Sequence, residues 1–145
     1  MFWFDKQDER AVGVDVRNGE VRMCERTWQV EPDHVADFTD LPFPDATFAH
    51  VVFDPPHRTT LSSHSYAAAA YGRLSGDWRE MIRRGFAECF RVLKPEGTLI
   101  FKWCDRDVPL AEVLSLTDEQ PLYGHKSGKN AGTHWMAFLK PPCGG

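Results

Sequence analysis

The residues best suited to chemistry stand four in a row, Asp54-Pro55-Pro56-His57. They close an apolar run that begins at His50. Two consecutive prolines fix the backbone and donate no hydrogen bond. Backbone carbonyls and the Asp54 carboxylate are left as acceptors facing one spot, and the His57 ring can stack on a flat partner. That arrangement suits an amine with two N–H donors, such as the exocyclic amino group of adenine or cytosine. The plainer reading is a turn that ends a strand, because proline pairs are common in loops.

Two more carboxylates share this setting. Asp15 lies at the end of the valine-rich run Ala11–Val16, and Asp37 closes the run Asp33–Asp37. Each run reads as a short strand. Asp15, Asp37 and Asp54 therefore fall at the carboxyl ends of strands, where open α/β sheets bind their ligands. The spacing predicts three acids along one rim. For Asp15 a surface-loop carboxylate is an equally good reading.

The elements that must hold this rim follow from periodicity. Leu41-Pro-Phe-Pro-Asp45 is a turn, since two prolines interrupt any ladder. Arg58 to Gly76 reads as a loop with some helix at Ala67–Ala70; within it Thr59–Tyr71, with Tyr66 and Tyr71, is a candidate lid or base-contact segment, or an ordinary mobile loop. Asp77 can cap a helix in which Met81, Ile82, Phe86, Cys89, Phe90 and Leu93 recur at helical spacing. Lys94-Pro-Glu-Gly97 is a turn. Thr98–Trp103 follows as a strand, apolar nearly throughout, as a strand covered on both faces should be. Val108–Leu116 fits a short helix. Pro121–Lys126 and Thr133–Leu139 fit two last strands that pair antiparallel at one edge. This order predicts an α/β sheet, parallel in its main part.

Composition sets the bounds. With 145 residues, 42% of them hydrophobic, the chain can bury one core, so residues 1–145 are expected to form a single domain. No apolar run reaches the roughly 18 residues of a membrane span, and the first residues do not read as a secretion signal. Cys24, Cys89, Cys104 and Cys143 form no Cys-x-x-Cys pair, which fits free thiols in a cytoplasmic protein. The six histidines show no metal-ligand spacing, and no metal is expected. Gly124 to Lys129 lacks the order of a Walker phosphate loop. The net charge of −4 is unlike a protein that grips phosphates over its whole surface. Arg73, Arg79, Arg83, Arg84, Arg91, Lys94 and Lys102 nevertheless gather in one stretch, as a solvated helix face or a nucleic-acid contact.

Ala36 to His57, together with Phe90-Arg-Val-Leu-Lys-Pro-Glu-Gly-Thr-Leu-Ile-Phe101, resembles the class I, Rossmann-like S-adenosylmethionine-dependent methyltransferases. The amino-methylating members on DNA or RNA carry an (Asp/Asn/Ser)-Pro-Pro-aromatic motif, matched here by Asp54 to His57, with histidine at the aromatic place. Val51–His57 and Leu99–Trp103 are similar to segments of small phage and bacterial methyltransferase-like proteins. The resemblance runs from Met1 to Lys140.

It implies S-adenosylmethionine as cofactor and methylation of adenine N6 or cytosine N4 in a nucleic acid. Asp15 would take the cofactor's ribose hydroxyls. Asp37 would accept from its adenine amino group, with Phe38 as an apolar wall. Asp54, Pro55, Pro56 and His57 would hold the substrate amine. The alternatives are a non-catalytic binding module, or a methyltransferase of a small-molecule or protein amine. The family's first strand and its glycine-rich cofactor loop find no match before Asp15. That strand lies between those carrying Asp15 and Asp54. The resemblance therefore implies that these two strands pair directly, or that a homodimer or partner chain fills the place.

Overall fold

A computed structural model describes residues 3–23, 25–60, 72–127 and 132–144. In chain order the elements are β1 (Val14–Asp15), β2 (Gly19–Met23), β3 (Arg26–Val30), β4 (His34–Val35), β5 (Phe48–Phe53), α1 (Trp78–Val92), β6 (Leu93–Cys104), α2 (Leu110–Leu114), β7 (Tyr123–Ser127) and β8 (Thr133–Leu139). β5, β6, β8 and β7 form a four-stranded sheet in that order. β5 runs parallel to β6, while β6–β8 and β8–β7 are antiparallel, so the expected antiparallel edge is present. β1 and β4 make a separate parallel pair.

The strands that carry Asp15 and Asp54 do not pair directly, which removes one of the two arrangements expected. β1 pairs only with β4 and β5 only with β6 among the described residues. Each keeps one ladder edge without a described partner.

β2 and β3 form an antiparallel hairpin that the reading of the sequence missed. The signal was there: Glu-Val-Arg-Met and Arg-Thr-Trp-Gln-Val alternate in polarity on either side of a two-residue connection. The charged members masked it.

α1 forms where helical spacing places it. The Asp77 carboxylate accepts from the Glu80 N–H and caps it. The buried face carries Ile82, Phe86, Cys89 and Val92. It packs with Phe53, Leu99, Phe101 and Phe138 of the sheet in one core cluster, which α2 joins through Val113. Because both helices bury their residues in this cluster, only one face of β6 is fully covered. The alternate residues Thr98, Ile100 and Lys102 stay exposed or half-exposed, contrary to the expectation of a strand buried on both faces.

The expected turn at residues 94–97 survives as a break inside a longer strand. Pairing steps from Phe48↔Leu93 to His50↔Thr98, so β5 advances two residues while β6 advances five. The excess bulges out around Glu96, whose φ is +60°. On the other side of α1, Arg91 donates to the Leu41 and Phe43 carbonyls and to the Asp45 and Glu88 carboxylates. That pins the proline turn against the helix. The helical content expected at Ala67–Ala70, and Tyr66 and Tyr71, lie outside the described residues.

Candidate active site

Asp15 and Asp37 come together as the spacing requires. Asp15 pairs in register with Val35, two residues before Asp37, so both acids leave the carboxyl ends of adjacent parallel strands. Asp54 leaves the carboxyl end of β5. The Phe38 ring lies 5.3 Å from the Phe53 ring, so the residue after Asp37 touches the residue before Asp54. Phe38 is thereby packed on the core cluster as well as standing beside Asp37. Gly85 of α1 makes this contact fit: a Cβ there would stand 2.5 Å from Phe53 and 2.7 Å from Phe38.

The three carboxylates differ in what already holds them. Both oxygens of Asp15 are engaged by the Arg17 guanidinium at 2.9 and 2.7 Å, and Oδ1 also accepts from the Arg17 N–H. Burial pushes the Asp15 carboxyl up, but the Arg17 bonds outweigh it and hold the group below its ordinary value. Asp37 is exposed. Its Oδ1 accepts from the Thr39 N–H and hydroxyl, and its Oδ2 takes no bond from any described residue. Asp54 gives Oδ2 to the Lys102 ammonium at 2.9 Å, while Oδ1 is likewise open among the described residues.

Lys102 was not assigned a role by sequence reasoning, because the sheet register makes the pair. Phe53 pairs with Phe101, so the next residues, Asp54 and Lys102, stand opposite each other at the strand ends. Lys102 pairs in turn with Trp135 on β8, and its Nζ lies 5.5 Å from that indole. An acceptor, an ammonium and a flat ring thus meet at one end of the sheet.

The chain after Asp54 is held from below. Pro55 is buried. Gly72, at φ +76°, lets the returning chain cross Pro56, where a Cβ would stand 3.0 Å from the proline Cγ. The half-buried His57 ring meets Trp103 edge-on, with centroids 6.1 Å apart. Trp103 is fully buried and donates its indole N–H to the Val108 carbonyl. Burial pushes the His57 imidazole below its ordinary value. The Asp54 charge opposes that, and Lys102 and Arg58 reinforce it. Burial thus disfavours the charged form of the His57 ring.

Asp107, just after β6, is the second residue the sequence did not reveal. Its Oδ1 accepts from Arg58 Nε at 3.0 Å. Its Oδ2 accepts from the Thr59 N–H, the Thr60 N–H and the Thr60 hydroxyl at 2.9, 3.1 and 2.9 Å. Burial raises the Asp107 carboxyl, but these donors outweigh it and hold it at about 2. The three residues after His57 are thus stapled to the segment that anchors Trp103.

No protein-family model matches the chain, and no curated protein does. Solved structures do share its fold. The PH0226 protein of Pyrococcus horikoshii superposes with a TM-score of 0.52 at 16% identity, over 72% of this chain and 57% of that one. A putative DNA modification methylase of Thermus thermophilus, solved in complex with S-adenosyl-L-methionine, gives 0.50 at 20% identity, over 74% of this chain and 54% of that one. The chain spans little more than half the length of these proteins. At such identity the likeness is one of fold.

Proposed function

We propose that the chain is an S-adenosylmethionine-dependent N-methyltransferase acting on an exocyclic amino group of a nucleic-acid base, adenine N6 or cytosine N4. The observation that carries this reading is Asp54 at the rim of the sheet, with one carboxylate oxygen open beside the buried Pro55. The methylase of like fold was solved with the same cofactor.

The residues fit the adenosine half of that cofactor by their chemistry. A ribose offers hydroxyl donors and adenine an amino donor, and Asp15 and Asp37 are acceptors on neighbouring strand ends. Asp37 can accept through Oδ2 at once, whereas Asp15 must share with Arg17. Bound there, S-adenosylmethionine would supply a methyl group activated by its sulfonium: a nitrogen–carbon bond would form to the substrate amine as the carbon–sulfur bond breaks, the sulfur leaving with the electron pair as a neutral thioether. Asp54 Oδ1 and the Pro55 carbonyl take the two N–H groups and so turn the nitrogen lone pair outward. Holding reactants in line in this way supplies much of the acceleration such a displacement needs. The methylated nitrogen would be cationic and would lose one of its own two protons to solvent, so no strong base is needed. His57, edge-on to Trp103, presents a ring for the base to stack on. A base within a duplex would have to be flipped out to reach this rim. The edges of β1 and β5 that lack a described partner are where a second copy or a partner chain would add a strand.

The test is transfer of tritiated methyl groups from S-adenosylmethionine to oligonucleotides by wild type and Asp54→Ala. Wild type should label adenine or cytosine, and the variant should lose the label. Labelling that survives Asp54→Ala refutes the role of Asp54. The Arg17 grip on Asp15 favours a second reading, a binding module that uses the rim without the cofactor. Calorimetry separates the two, since a binding module gives no heat with millimolar S-adenosylmethionine.

A further inference from the structure

The Asp54–Lys102 pair does more than present an acceptor. An ammonium carries three N–H donors, and Lys102 directs one to Asp54 Oδ2 while Oδ1 remains open among the described residues. A hydrogen-bond acceptor and a donor therefore sit side by side at the end of adjacent strands. We infer that this pair reads an amidine edge, with Asp54 taking the exocyclic amine and Lys102 donating to the neighbouring ring nitrogen. Adenine presents that edge as its amine and N1, and cytosine presents it as its amine and N3. The inference rests on Asp54 being the amine acceptor, and it makes Lys102 the residue that selects an amine flanked by an acceptor ring nitrogen.

Three observations support it. The register fixes Lys102 opposite Asp54, so the donor and acceptor keep their spacing as part of the sheet. Trp135, the cross-strand neighbour of Lys102, sets a flat ring beside the donor for a planar ligand. Lys102 is a cation at the place where an aliphatic amine would arrive as a second cation, and two like charges in contact repel. Uracil and thymine carry carbonyls and no exocyclic amine, so they offer Asp54 nothing to accept. The pair therefore rejects them as well as lysine-like amines.

The experiment uses adenosine and 1-deazaadenosine, which keeps the amine, the flat ring and the sugar but replaces N1 with C–H, both titrated with S-adenosylhomocysteine in excess so that the Asp15 and Asp37 acceptors do not take the probe. Binding is followed by calorimetry for wild type, Lys102→Met and Lys102→Arg, each checked for folding by circular dichroism. Wild type should bind adenosine about tenfold more tightly than the deaza analogue, the effect of one hydrogen bond from a charged donor. K102M should bind both alike, and K102R, which keeps the charge and the donors, should restore a preference. Equal binding by wild type, no binding of adenosine by wild type, or a preference that survives K102M overturns the inference. Methyl transfer is measured separately on oligonucleotides carrying either base. Transfer that uses adenine and 1-deazaadenine equally overturns the inference and leaves the methyltransferase reading standing. Discrimination in binding with no transfer does the reverse.

Discussion

Asp107→Asn tests how the loop after the Pro-Pro pair is held. The carboxylate accepts from one guanidinium, two backbone N–H groups and one hydroxyl. Asparagine keeps the shape, loses the charge and turns an NH2 toward one set of these donors. The move of the carboxyl from 3.8 to about 2 corresponds to about 2 kcal/mol of differential stabilisation. The Asp107 side chain is only 7% exposed, but its Arg58 partner is 28% exposed, so solvent reaches the pair and screens it. About 1–2 kcal/mol is therefore expected, a fall in Tm of roughly 2–8 °C. The pH dependence carries the sign. A carboxyl whose folded value is depressed stabilises fully above its unfolded value, and loses that contribution as pH falls from about 4 through about 2. Urea unfolding of both proteins from neutral pH downward should show a constant gap that closes in this window. Equal midpoints at neutral pH, or a gap that persists unchanged to pH ~2, would refute the clamp.

Gly85→Ala sets two effects against each other. Helix propensity alone favours alanine by up to about 1 kcal/mol, but the new Cβ would stand 2.5 Å from Phe53 and 2.7 Å from Phe38. Overpacking costs about 1–3 kcal/mol, so the variant should unfold at lower denaturant; a rise in the midpoint would count against the packing described. His57 has its folded value lowered chiefly by burial. Its contribution to stability should be full above the ordinary value of 6.5 and fall as pH drops below it. His57→Gln should flatten that part of the stability profile, as read by thermal unfolding in a series of buffers. Asp37→Ala should weaken S-adenosylmethionine binding about tenfold, as loss of a hydrogen bond would, and Asp15→Ala less. Calorimetry showing the reverse order would move the cofactor's main anchor to Asp15.

Much of the frame was legible because it follows from local rules. The 3.6-residue recurrence from Met81 to Leu93 and the Asp77 cap located α1 almost to the residue. The apolar runs located β5 and the apolar part of β6, and Asp54 stands at the end of the first. The hairpin β2–β3 was missed because Arg22 and Arg26 make each half look like a charged loop, although the alternation was present. The break at Glu96 was visible as a turn, but not that β6 would resume pairing on both sides of it.

What stayed hidden arises from register and not from any local pattern. Lys102 lies 48 residues from Asp54, and Asp107 lies 48 from Thr59. Neither separation leaves a trace in spacing, and in sequence Lys102 is one cation among many. The same is true of how the acids are held. Asp15 and Asp54 look alike as carboxylates at strand ends, yet each is met by a different cation. Arg17, two residues along the chain, has the fork to take both oxygens of Asp15. Lys102, across the ladder, delivers a point charge to one oxygen of Asp54 and leaves the other for a ligand. A neutral donor can therefore reach Asp54 without breaking an ion pair, and can reach Asp15 only by competing with one. The choice of cation at each strand end separates an acid ready to bind from one already engaged, and that separation is why the proposal sets the substrate amine at Asp54 and not at Asp15.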